Sequence, residues 1–353
     1  MPASCLNSYN PHMSADVTVV VVPRERFSRT EVSLEALYRH TTEPFKLIYV
    51  DGHSPRHIRR YLERQARERD FRLIRLPHFI PTPRLRNIGL REVETPYVVF
   101  IENDMIVEAG WLSALVRCAE ETRAALVGPL YLEHQPEDRI VHMAGGLAHF
   151  EEVDGRRRLF EKHFFQGRRV CDIEDQLHRK PTELVEFHCL LARTDVIRQL
   201  GGFDEGMKNT SEHVDFCLAV RNAGHEIYFE PTAVVVYVDP PPFAWYDVAF
   251  YHTRWNEIWA RQTVAHLARK WRLDPDDPLL NAKYEWTGTH RRLILAPVKH
   301  CLTRACGWNL GMRIAGYLTP ALDRWIGRTI ARPDPDTLAG PLLPVPKPDV
   351  ATR

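Results

Sequence analysis

In the first two thirds of the chain, short uninterrupted apolar runs alternate with segments whose apolar residues recur every three or four positions. Val17 to Val22 is β-branched throughout, the pattern of a strand buried on both faces. Thr30 to His40 sets Val32, Leu34 and Leu37 among charged residues and predicts a helix. Lys46 to Val50 reads as a second strand, Ser54 to Asp70 as a charged helix and Phe71 to Leu76 as a third strand. A turn containing Pro77, Pro81 and Pro83 leads into a helix start at Arg84 to Leu90. The run from Tyr97 to Ile101 then ends in Glu102-Asn103-Asp104. Strands alternating with helices predict βαβ units, a mostly parallel central sheet and right-handed crossovers.

The pattern continues with an amphipathic helix over Ala109 to Thr122 and a strand from Ala125 to Tyr131. Periodicity fades between Glu133 and Glu183, where His, Arg and Glu become frequent. A long irregular segment of this kind inside a domain is expected to serve as a functional lid or insertion. Order resumes with a strand from Leu184 to Ala192, a short helix from Thr194 to Leu200 and a Gly201-Gly202 turn. A helix from Glu212 to Ala223, capped by Ser211 and closed by Gly224, precedes strands at His225 to Phe229 and Ala233 to Val238. The prolines at 240–242 mark the end of the first domain. Beyond them, Val248, Tyr251, Trp255, Ile258 and Trp259 at helical spacing predict a core helix, with an aromatic sugar platform as the alternative.

Composition narrows the function classes. The 47 basic residues nearly balance 46 acidic ones, so no nucleic-acid partner is expected. Seven scattered cysteines without a Cys-x-x-Cys pair support neither a disulfide framework nor a zinc ribbon, and point to a reducing compartment. Neither an amino-terminal leader nor a membrane span is recognised, so a cytoplasmic location is expected. Between residues 289 and 332, eight Lys or Arg face one acid, Asp323, with apolar residues interleaved. That segment suits peripheral contact with an anionic membrane on its cytoplasmic face, or equally a solvated basic helix face.

Candidate chemistry lies at the strand ends. Asp51 follows the second strand, Glu102 and Asp104 follow the fourth, and Glu212 with Asp215 open a late helix. Carboxyl ends of strands in an open α/β sheet converge on one crevice, so groups distant in sequence can meet there. Oxygen ligands spaced as Glu102 and Asp104 suit a hard divalent ion, Mn²⁺ or Mg²⁺, that also binds a diphosphate. The bland readings are a turn at Asp51-Gly52, a polar turn at Glu102-Asn103-Asp104 and a helix-dipole acid at Asp215. His142, His149, His163, His178 and His188 show no zinc spacing and are expected at the surface or the acceptor side.

Four stretches together resemble the family 2 glycosyltransferases of the GT-A fold. They are Ile48 to Ser54, Arg86-Asn87-Ile88-Gly89-Leu90, Tyr97 through Asp104, and Gly201 to Glu205 followed by Glu212-His213-Val214-Asp215. The resemblance covers about Val17 to Tyr237. It implies sugar transfer from a nucleotide-diphosphate donor, a UDP-sugar favoured, to a hydroxyl on a glycan, lipid-linked or small-molecule acceptor. By carry-over Asp51 would contact the base, and Arg86, Asn87 and Asn103 would lie near the nucleotide. Glu102 and Asp104 would match the metal motif. The later acidic motif would supply the base, from Glu212 or, because His213 replaces the usual Asp, from His213. Asp239 stands where many members place a metal-binding His after the last strand. Inversion of the anomeric centre is favoured, although Phe203 to Met207 also looks like retaining N-acetylgalactosaminyltransferases.

The expected organisation is a disordered amino terminus over 1–16, a GT-A domain over 17–240 with its irregular part at 133–183, a helical extension over 241–332 and a disordered proline-rich tail over 333–353. The rival readings are a nucleotidyltransferase and a non-catalytic glycan-binding scaffold. The loop Pro23-Arg24-Glu25-Arg26 lacks the glycines that the nucleotidyltransferase needs.

Overall fold

The first strand, β1 (Val17–Val22), is buried along its whole length, and the sheet grows outward from it. The structure, a computed structural model, describes residues 16–238, 243–330 and 336. After β1 come α1 (Thr30–His40), β2 (Lys46–Asp51), α2 (Arg56–Glu68), β3 (Arg72–Arg75), α3 (Thr82–Leu90) and β4 (Tyr97–Glu102). These strands form the parallel block β3-β2-β1-β4, with Val22 level with Glu102. Gly89 of α3 permits close helix–sheet contact, since a Cβ there would meet Val20 Cγ1 at 2.4 Å. Each fully buried valine of β1 stabilises the fold by roughly 1.5–3 kcal/mol.

The chain continues through β5 (Met105–Val107), α4 (Trp111–Thr122), β6 (Leu126–Glu133), β7 (Ile140–Met143), β8 (Gly146–Val153) and β9 (Arg156–His163). It then forms β10 (Lys180–Thr182), β11 (Cys189–Arg193), α5 (Thr194–Gln199), α6 (Glu212–Asn222) and β12 (Ile227–Tyr237). The antiparallel β11 inserts between β4 and β6, and β12 runs parallel to β6.

Three expectations change. The segment read as irregular contains a regular hairpin, β8–β9, whose two-residue turn Asp154-Gly155 has positive φ at both positions, the geometry that matches strand twist. The two late strands are one strand, β12, with a register shift between Glu230 and Val234 that accommodates Pro231. The strand expected from Leu184 also starts later, at Cys189.

Among the described residues, five α-helices follow: α7 (Val248–Arg254), α8 (Glu257–Trp271), α9 (Pro278–Arg291), α10 (Ala296–Cys306) and α11 (Trp308–Thr329). Trp255 and Trp259 are fully buried, so they belong to the core and form no exposed sugar platform. Tyr251 and Trp255 pack with Ile294, Leu295 and Ile326 in a small core of this region's own. Among the described residues, no helix is long and apolar enough to cross a membrane.

Candidate active site

Strand register determines which side chains meet. Cys189 of β11 pairs with Ile101 of β4, which sets His188 beside Glu102 at the sheet's edge. Glu102 accepts from His188 Nδ1 at 2.7 Å, Arg86 Nη2 at 2.9 Å and Arg24 Nη1 at 3.3 Å. Burial opposes its charge, but Arg24 and His188 outweigh that and hold its carboxyl below the ordinary value. With its oxygens so engaged, Glu102 is a poor candidate for direct metal ligation.

Asp104 differs. It is buried and lies 3.1 Å from Arg26 Nε, yet neither carboxylate oxygen has a hydrogen-bond partner. Burial, only partly offset by Arg26, pushes its carboxyl up to about 7. A buried carboxylate with unsatisfied oxygens fits a divalent cation, so Asp104 is the member of the expected metal set that the local chemistry favours. Asp239 lies outside the described residues.

The expected nucleotide residues make internal bonds. Asp51 accepts from Ser54 N at 2.8 Å, from Ser54 Oγ at 2.9 Å and from Arg75. Arg86, besides Glu102, donates to Phe187 O at 3.3 Å and stacks over the Phe187 ring. Asn87 clamps the glycine turn, donating to Phe203 O at 2.8 Å and accepting from Phe203 N at 2.9 Å. Gly202 beside it has a φ of +84°, which glycine alone adopts readily. Asn103 donates to Arg26 O at 2.8 Å and Thr30 Oγ1 at 2.9 Å.

A cavity of about 530 Å³ opens beside Arg24 and His188, the partners of Glu102. Its walls combine strand ends (Glu133, His142, Glu161, His163, Tyr237), the segment before β11 (Glu186, His188), the start of α6 (Ser211, His213), Arg24 from the first loop, and α9 (Lys283, Trp286, His290). Asp51, Arg86, Asn87, Asn103, Glu102, Asp104, Glu212 and Asp215 are not among the lining residues. Tyr237 stacks on His188 at 4.5 Å and donates to Glu25 at 2.5 Å.

The start of α6 separates the candidate bases. Glu212 accepts from Arg254 Nη2 at 2.9 Å and points into the protein. Burial would raise its carboxyl, but Arg254, Arg24 and Arg86 bring it down to about 2. Asp215 is taken by Lys270 Nζ and Trp271 Nε1, each at 2.7 Å. His213 faces the cavity, its Nε2 lying 3.5 Å from both Glu161 Oε1 and Glu186 Oε1. Ser211, which precedes the helix, sits in the left-handed region at φ 60°, with its buried hydroxyl unbonded. Local strain of this kind often accompanies a functional site.

Of the histidines expected at the surface or the acceptor side, His142, His163 and His188 reach the cavity. His149 instead pairs with Glu183 at 2.8 Å. Glu133, Glu161 and Glu186 were not singled out from the sequence. Glu186-Phe187-His188, an acid and an imidazole at the edge of an apolar run, was the available signal.

Comparison with known proteins agrees with this architecture. Residues 18–173 match the family described as glycosyl transferase family 2. The pre-mycofactocin glycosyltransferase of Mycobacterium tuberculosis is 29% identical over 168 residues, 48% of this chain and 32% of that protein. The chain therefore spans about a third of the length of this curated relative. Among solved structures, GalNAc-T7 with UDP, GalNAc and Mn²⁺ superposes with a TM-score of 0.51 at 14% identity, covering 86% of this chain and 59% of that one. The shared architecture is the GT-A fold.

Proposed function

We propose that the chain, whose residues 18–173 match glycosyl transferase family 2, moves a sugar from a nucleotide diphosphate to an acceptor hydroxyl, with inversion. The observation that carries this reading is the placement of Glu102 and Asp104 at the end of β4, beside a cavity lined by imidazoles and carboxylates. A UDP-sugar is the favoured donor, because GalNAc-T7, which shares the fold, holds UDP and Mn²⁺. The acceptor is a glycan, lipid-linked or small-molecule hydroxyl compound.

Asp104 would hold Mn²⁺ or Mg²⁺, which when bound neutralises charge on the departing diphosphate. Arg24 on the cavity wall adds a fixed positive charge, kept in place by Glu102. His213 accepts the acceptor's proton, and Glu161, 3.5 Å from its Nε2, orients the ring and stabilises the imidazolium that forms. Glu102 and Arg86 act by position, bracing the strand end from which Asp104 projects.

The chain also docks on the cytoplasmic face of a membrane through α10 and α11. Lys299, Arg304, Arg313, Arg324 and Arg328 are exposed there, as are Trp308, Tyr317 and Trp325 at 70%, 84% and 55%. Exposed basic and aromatic side chains together suit an anionic interface.

The donor assignment is tested by thermal shift with UDP-, GDP- and TDP-sugars in Mn²⁺. One nucleotide class, UDP, should stabilise the protein in a Mn²⁺-dependent way, and Asp104→Asn should abolish that dependence. Absence of stabilisation by any nucleotide would remove the donor site.

A further inference from the structure

We propose that His142, His163 and Glu186 bind a divalent transition-metal ion of the zinc class, at a site separate from Asp104. One ligand atom from each lies within 4.8 Å of the others, and all three side chains face the cavity. They come from β7, β9 and the segment before β11, so the fold rather than a local motif assembles them. Two imidazoles and a carboxylate suit a borderline dication better than the hard Mn²⁺ or Mg²⁺ expected at Asp104.

Each ligand is prepared for this task. Glu133 Oε2 lies 3.1 Å from His142 Nδ1, where it orients the ring and leaves Nε2 for an ion. An outer carboxylate of this kind commonly supports a metal-bound histidine. Neither ring nitrogen of His163 has a hydrogen bond of good geometry, although both are buried and Nε2 lies 3.3 Å from Glu161 Oε1. Glu186 accepts from Phe187 N through Oε2 and directs Oε1 toward His163 Nε2, 3.9 Å away. Lys283 neutralises the neighbouring Glu161 at 2.5 Å. The ion therefore takes Glu186, while Glu161 remains with Lys283 and His213.

Three protein ligands leave the ion's remaining positions open to the cavity. An oxygen ligand such as an acceptor hydroxyl would enter there, beside His213. This last point rests on the transferase reading, whereas ion binding does not.

The test uses the full chain without donor or acceptor. Protein stripped with a chelator is re-equilibrated with Zn²⁺, and bound metal is measured by elemental analysis and calorimetry, with Co²⁺ visible absorption as a second probe. The wild type and Asp104→Asn should each retain about one Zn²⁺ per chain. His142→Ala and His163→Ala should each weaken binding by on the order of a hundredfold, and Glu133→Gln by roughly tenfold. Failure of the wild type to bind Zn²⁺, or wild-type affinity in either folded histidine variant, overturns the site. Loss of Zn²⁺ in Asp104→Asn would place the ion at β4 instead. Because sugar transfer is never measured, a wrong donor assignment leaves these readings unchanged.

Discussion

Glu212 Oε1 is locked to Arg254 Nη2 at 2.9 Å inside the protein, while the adjacent His213 faces the cavity. Under the proposed mechanism, neighbours in sequence are thereby divided between a structural and a chemical task. Glu212→Gln should destabilise the fold by about 3–5 kcal/mol, because it breaks a buried ion pair and strands the arginine. His213→Ala should lower transfer by roughly 10²–10⁴-fold with a much smaller stability cost. Urea unfolding beside steady-state turnover separates the two, and the opposite pattern would make Glu212 the base.

Acid stability follows from the same pair. The Glu212 carboxyl is held at about 2, below its ordinary value of 4.5. A depressed carboxyl contributes stability above its unfolded value and loses it as pH falls toward the folded one. The contribution should fade between about pH 4.5 and about pH 2, and should amount to about 3 kcal/mol. Unfolding free energies measured across that window should show a flatter acid limb in Glu212→Gln. An unchanged limb would refute the assignment.

Helix α3 packs against β1 without room for a side chain at Gly89. Gly89→Ala should force Val20 or the helix to shift, at about 1–3 kcal/mol. Because α3 also carries Arg86 and Asn87, turnover should fall along with the melting temperature. A variant as stable as the wild type would show that the helix yields freely.

Membrane contact is tested by sedimentation with vesicles. Binding to phosphatidylserine-containing vesicles should exceed binding to neutral ones and weaken with salt. Replacing Trp308, Tyr317 and Trp325 together by Ser should reduce it by tenfold or more, since each exposed ring contributes on the order of 1–3 kcal/mol when buried. Equal sedimentation with both vesicle types would argue for a solvated basic face.

Much of the sheet was legible because its signals are local. The β-branched run at β1, the helical spacing of α1 and the apolar run ending at Glu102 predict their elements closely. The β8–β9 hairpin was harder to see, since Arg156, Arg157 and Arg158 obscure its alternation and only Asp154-Gly155 marked its turn. The cavity was less legible still. His142, His163, Glu186 and His213 meet because β11 inserts antiparallel beside β4 and β9 returns alongside β8, pairings that no short window of sequence encodes. The roles of Asn87 and Arg86 depended on Phe203 and Glu102, partners far from them along the chain.

One wall of the cavity belongs to α9, through Lys283, Trp286 and His290, whereas Glu102 and Asp104 stand at the end of β4 in the sheet. Under the proposed transferase reading, changes on α9 would alter acceptor choice without disturbing the strand ends. Grafting an α9 of different side chains onto this scaffold is a route to altered selectivity, and a chimera need change only the face carrying those three residues.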